Sequence, residues 1–149
     1  MAILDTLNND MKEAMKSKDK VRLEVIRGLK SDISYKEIEA KGDGLSEEDI
    51  IGVITSAAKR RRDSIDQFRK GGREDLATKE EAELEIITTY LPKQMSDDEI
   101  AGIVVEAIAA SGASGPSDTG KVMKEVMPKV KGKADGNRVK QIVAEKLMG

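Results

Sequence analysis

Between residues 96 and 118 the chain carries five acidic residues and no base, and between 119 and 149 it carries eight Lys/Arg against three Asp/Glu. The second segment holds a local charge of +5 in a protein whose formal net charge is −2. A nearby polyanion responds to that local field more than to the whole-chain charge, so the chemistry it suggests is phosphate recognition. Lys121, Lys124, Lys129, Lys131, Lys133, Arg138 and Lys140 are the candidate RNA-binding residues. Each can neutralise a backbone phosphate, with an affinity that declines as salt rises. The competing reading is a solvated charged face with no ligand. The tail contains no aromatic residue, whereas modules for single-stranded RNA stack bases on aromatic platforms. Shape and backbone recognition of a structured RNA is therefore the expectation.

Gly120, Gly132 and Gly136 are the candidate backbone turns of this segment. Gly132 and Gly136 would let the chain approach a phosphate and present Asn137 and Arg138 at a helix N-terminus, where unpaired N–H groups favour an anion. In the structural alternative, Gly132 ends one helix and Asp135 caps the next.

Histidine and cysteine are both absent. Their absence removes the usual proton shuttle near neutral pH, the thiol nucleophile and the two softest metal ligands. We assign no catalytic residue, no metal ligand and no cofactor. Residues 115–121 have the spacing of a phosphate-binding loop, but Val122 stands where Ser or Thr would hold magnesium, and the preceding segment reads as a helix rather than a strand. The run Lys59-Arg60-Arg61-Arg62 turns through about 100° per residue in a helix and so cannot form one basic face. Arg61 instead projects into the apolar stripe of its helix, and Glu80 into that of the next. A partly buried structural ion pair between Arg61 and Glu80, or neighbouring Glu83, is expected.

Apolar residues recur at helical spacing almost throughout, and no stretch alternates with a period of two, which predicts an all-α protein. The first helix presents Ile3, Leu4, Leu7, Met11, Ala14 and Met15. The second runs from about Asp19 to Ala40 and stops at Gly42-Asp43-Gly44. Ser46-x-x-Asp49 and Ser96-x-x-Glu99 are capping-box patterns that open the third and fifth helices. A fourth helix runs from about Glu74 to Tyr90, where Pro92 disfavours helical backbone at Leu91. Two further helices are striped by Val122, Met123, Val126 and Met127, and by Val139, Ile142, Val143 and Leu147. The expected organisation is a four-helix N-terminal domain over residues 1–95 and a three-helix domain over 96–149.

Several strings, taken together, resemble the YqeY-like family across essentially the whole chain. They are Ala14-Met15-Lys16-x-Lys18-Asp19 with Leu23-x-x-Ile26-Arg27, Gly72-Arg73-x-Asp75-Leu76, Tyr90-Leu91-Pro92, Gly120-Lys121-Val122-Met123 and Gly132-Lys133-Ala134-Asp135-Gly136. The resemblance implies an all-α N-terminal domain followed by a small helical domain similar to the C-terminal tail of GatB, a subunit of the tRNA-dependent amidotransferase. In that enzyme the tail contributes to tRNA recognition, while glutamine hydrolysis and the ATP-dependent step lie elsewhere. The resemblance thus implies contact with tRNA or another structured RNA without transferring catalysis.

Three functions follow as expectations: a non-catalytic RNA-binding accessory protein, a participant in amido transfer (carbon–nitrogen ligation with glutamine as amido donor), or a module that binds a protein partner. No segment reaches the ~20 apolar residues of a membrane span. The N-terminal stretch is amphipathic and contains Asp5, Asp10 and Glu13, unlike a secretory signal or an acid-poor transit peptide. A soluble, monomeric, cytoplasmic protein is the resulting expectation.

Overall fold

Capping and breaking residues set where each helix starts and stops in the computed structural model, which describes residues 2–42 and 44–148. Among the described residues there are seven α-helices, a short 3-10 turn and no strand, so the protein is all-α. They are α1 (Ile3–Ser17), α2 (Lys20–Glu39), α3 (Glu47–Lys70), α4 (Glu74–Thr88), α5 (Asp97–Ser111), α6 (Thr119–Val130) and α7 (Gly136–Met148), with the 3-10 turn over Pro116–Asp118. Of the expected Gly42-Asp43-Gly44 stop, Asp43 lies outside the described residues.

The Ser46 box is complete: the Ser46 hydroxyl accepts from Asp49 N and the Asp49 carboxylate accepts from Ser46 N. At α5 only half of it forms. Ser96 Oγ accepts from Glu99 N, but the Glu99 carboxylate takes the Ser96 hydroxyl proton instead of reaching the backbone N–H. Ala2, which precedes α1, has no capping side chain, and Glu47 from the start of α3 serves instead, accepting from Ile3 N at 2.8 Å. Helix α4 ends at Thr88, two residues earlier than expected. The Thr88 and Thr89 hydroxyls bond back to the carbonyls of Glu85 and Ile86, and Tyr90 and Leu91 form tighter turns ahead of Pro92. Local side-chain bonds of this kind compete with helix propagation.

Backbone contacts divide the chain into two compact units, Met1–Leu91 and Pro92–Gly149. In the first, α1 packs on α2, α3 on α4, and α2 on both α3 and α4. Their shared core is aliphatic, built from Leu7, Ile26, Leu29, Ile33, Ile54, Ala58 and Ile87. Tyr90 closes one end of it. Its hydroxyl donates to Asp10 Oδ2 at 2.6 Å, and Asp10 also meets Arg22 at 3.3 Å. Burial, reinforced by the neighbouring Asp10 carboxylate, pushes the Tyr90 hydroxyl well above its ordinary pKa.

Arg61 lies among the first-unit helices with its Nε 3.3 Å from Glu80 Oε2 and 3.2 Å from Glu83 Oε2. The two facing atoms Arg61 Nε and Glu80 Oε2 are buried and lack hydrogen-bond alignment, so charge attraction holds them rather than a directed bond. Two carboxylates share one guanidinium. Burial pushes the Glu83 carboxyl upward, Arg61 partly offsets that, and Glu80 adds to it.

In the second unit α5, α6 and α7 pack pairwise around Val104, Val122, Val126, Val130, Val139 and Val143, all fully buried. Pro128 sits within α6 near its end. The α6–α7 connection turns at Gly132, whose φ of +77° is left-handed backbone that a Cβ disfavours. Lys133 N and Ala134 N then both donate to Val130 O, closing the end of α6. The segment ahead of α5 grips this turn: Met95 N donates to Lys133 O at 2.8 Å, and the Gln94 amide donates to both Pro92 O and Gly132 O.

Three outcomes follow from this packing. Arg61→Ala strands two carboxylates at side-chain exposures of 21% and 11%. With Arg61 itself a third exposed, urea unfolding will show a loss of about 2 kcal/mol, less than for a deeply buried pair, and Glu83→Gln in the same chain will restore part of it. Because the Glu83 carboxyl is raised on folding, its contribution to stability is fully present below the unfolded value of about 4.3 and is lost as pH rises through the folded value. The melting temperature of Glu83→Gln relative to the parent will therefore climb between pH 4 and pH 7; a flat or falling difference contradicts the assignment. Finally, Gly132→Ala will cost roughly 1–2 kcal/mol in the same denaturation assay.

Candidate nucleic-acid interface

Burying the valine stripes of α6 and α7 leaves their charged residues outside. Lys121, Lys124, Lys129, Lys131, Lys133 and Lys140 are all exposed, and among the described residues none takes part in an ion pair within 4.0 Å. Lys121 and Lys124 are three residues apart on α6 and so are neighbours on its outer side. Lys121 also lies in the field of Asp118, which helps hold the Asp118 carboxyl below its ordinary pKa together with the Ser114 N–H, the larger cause. Lys131 and Lys133 flank Gly132 on the turn that Gln94 and Met95 grip.

Arg138 stands apart. Its guanidinium makes a two-pronged contact with Asp97 at the start of α5, Nε to Oδ1 at 3.0 Å and Nη2 to Oδ2 at 2.8 Å, and Nη1 reaches Gln141. The hydrogen-bonded Arg138 holds the Asp97 carboxyl below its ordinary range, and Asp97 in turn raises Arg138. Lys140 is two residues on, about 200° round α7. Arg138 therefore leans to α5 while Lys140 lies on the other flank of the Val139 stripe. The seven sequence candidates do not form one group: six are open cations and Arg138 is tied down by an acid.

The three candidate glycines also separate. Gly132 alone takes the left-handed turn. Gly120 lies in the first turn of α6, with open space where a Cβ would project, and Gly136 is the first residue of α7. The carboxylate of Asp135 accepts from Asn137 N at 3.4 Å, so the α7 N-terminus already has an anionic partner within the chain. Sequence reasoning missed Gln94 and Met95, whose hold on the turn is a contact across nearly forty residues and leaves no local signal. It also missed Asp97, which is one of three consecutive acids opening α5 and cannot be singled out by spacing.

Among the described residues no group of three or more carboxylate, histidine or cysteine side chains is placed to hold a metal ion. No single helix among them is long and apolar enough to cross a membrane.

The sequence profile of the family described as Yqey-like protein matches residues 4–147. Similar curated proteins carry the name "Altered inheritance of mitochondria protein 41, mitochondrial". The one from Lachancea thermotolerans is 38% identical over 130 residues, covering 86% of this chain and 68% of that protein. Those from Vanderwaltozyma polyspora and Kluyveromyces lactis are 44% and 39% identical, over 57% and 74% of this chain and 46% and 61% of theirs. The chain thus spans about half to two thirds of the length of these relatives. Their names overturn the expectation of a cytoplasmic protein, which rested on the lack of a membrane-span segment and on the composition of the N-terminal stretch: these relatives are named as mitochondrial proteins. With both the family profile and a relative this similar covering most of its length, the chain belongs to the YqeY-like family.

Proposed function

We propose that this protein is a non-catalytic RNA-binding accessory protein that engages structured RNA, tRNA foremost, through a three-helix domain comprising residues 96–149 and following a four-helix domain over 1–95. The observation that carries the reading is the set of six exposed lysines on α6, the α6–α7 turn and α7 that, among the described residues, make no ion pair within 4.0 Å. Cations left open in this way are available to displace counterions from a phosphate backbone. Lys131 and Lys133 flank a turn whose backbone is held by two hydrogen bonds from 94–95. The absence of aromatic side chains from the segment favours backbone and shape recognition over reading of bases.

The resemblance of the 96–149 strings to the GatB tail supports tRNA as the partner. It also supports a second reading, in which the protein takes part in amido transfer by presenting tRNA to an enzyme. An amidation assay on misacylated tRNA with the enzyme present and this protein added or withheld separates that role from RNA binding alone.

The test of the main reading is a titration of the full chain with labelled tRNA at 50 and 200 mM salt. If all six lysines engage, binding weakens on the order of 10³-fold over that range. Lys131→Glu with Lys133→Glu lowers both the affinity and the salt slope. Binding indifferent to salt and to this double reversal overturns the reading.

A further inference from the structure

The first unit carries a second concentration of positive charge that its overall composition conceals. Residues 12–30 hold seven Lys/Arg against three Asp/Glu, whereas the rest of the unit is acidic. Two sets of bases in the unit contrast in the structure. Arg22, Arg60, Arg61, Arg69 and Arg73 are each paired with a carboxylate. By contrast, among the described residues Lys12, Lys16, Lys18, Lys20 and Arg27 are exposed and take part in no ion pair within 4.0 Å; Lys41, Lys59, Lys70 and Lys79 share that state but are spread along the sequence, whereas the first five belong to one hairpin. Lys16, Lys18 and Lys20 run through the tight connection between α1 and α2, and Lys12 and Arg27 stand about one to two turns back along the two helices, each on the side away from its helix's buried stripe.

The connection is tight because Lys18 takes a left-handed backbone, with φ 60° and ψ 34°, and its N–H and that of Asp19 close the end of α1 on Met15 O and Ala14 O. Asp19 caps α2, its side chain accepting from Arg22 N, and offsets one of the three lysine charges at the tip, leaving a net +2 over 16–20. Glycine fills a left-handed position at a helix end most cheaply. A lysine there adds a charge where the backbone would be better served by glycine.

From this we infer that the α1–α2 hairpin tip is a second RNA phosphate-contacting surface, separate from the lysines of the second unit. The inference rests on the RNA reading above and adds a contact to it. Each phosphate neutralised at the tip adds its own salt-dependent increment to the affinity. Residues 16–20, Lys-Ser-Lys-Asp-Lys, contain no apolar side chain. Exposed Met15 and Val21 flank the tip, so a lipid surface, where adsorption draws on buried apolar area as well as charge, is the alternative that the experiment must separate from a phosphate backbone.

The experiment measures tRNA binding by the full chain across a salt series, comparing the parent, Lys16→Gln/Lys18→Gln/Lys20→Gln, the single change Lys18→Gly, and the Lys131→Glu/Lys133→Glu variant. The triple variant is expected to bind about tenfold or more weakly, with a slope of log affinity against log salt smaller by roughly 2–3. Lys18→Gly should melt at the same or a higher temperature yet bind tRNA more weakly, a combination that a purely structural role does not produce. If the hairpin variants bind like the parent while the Lys131/Lys133 variant is impaired, this inference fails and the RNA reading stands. If the parent does not bind, both fall. If the triple variant keeps its tRNA affinity but loses binding to phosphatidylglycerol vesicles, the surface serves a membrane and the inference is overturned.

Discussion

The separation of acids from bases along the second unit is the constraint on which its properties depend. A three-helix core made of valines and isoleucines, with no aromatic and no buried charge among its core residues, places the ionisable groups on the surface. The acids are concentrated in α5 and the loop after it and the bases in α6 and α7. Few of the two kinds can meet. Asp97 reaches Arg138 and Asp118 lies in the field of Lys121. Among the described residues the other lysines make no ion pair within 4.0 Å, although Glu125 and Glu145 lie on the same two helices.

Within the first unit the opposite arrangement holds for the arginines. Arg61 lies between Glu80 and Glu83, Arg69 meets Glu74 and Glu81, and Arg22 joins Asp10, which itself receives the Tyr90 hydroxyl. Pairing is structural where helices pack and absent at the α1–α2 tip. Guanidinium groups make the interhelical pairs, in keeping with their planar, forked geometry, while the open positions at the α1–α2 tip are lysines with Arg27 behind them.

Much of the helix layout was legible because it is written in local chemistry. Ser46 and Asp49 form their cap within four residues, and the inward residues of α6 and α7 follow a fixed angular period. Projection of two helices was enough to bring Arg61 together with the Glu80 and Glu83 pair. Contacts between distant residues were not legible in the same way. Nothing near Arg138 announces Asp97, forty-one residues earlier, and nothing near Asp10 announces Tyr90. The end of α4 was misplaced because the back-bonding of Thr88 and Thr89 outweighs a helical pattern that continues to Tyr90. The α1–α2 tip escaped notice for another reason: its charge is diluted in an acidic unit, and only the structure shows which bases are already paired.

The central claim is that the lysines of α6 and the α6–α7 turn meet RNA while Arg138 remains bound to Asp97. A titration of the isotope-labelled full chain with tRNA, followed residue by residue in NMR spectra, tests it most directly. The account predicts that, within the second unit, resonances of Lys121, Lys124, Lys131 and Lys133 shift while those of the Arg138 side chain and of α5 hold still. Shifts confined to α5, or none anywhere in 119–140, would contradict it.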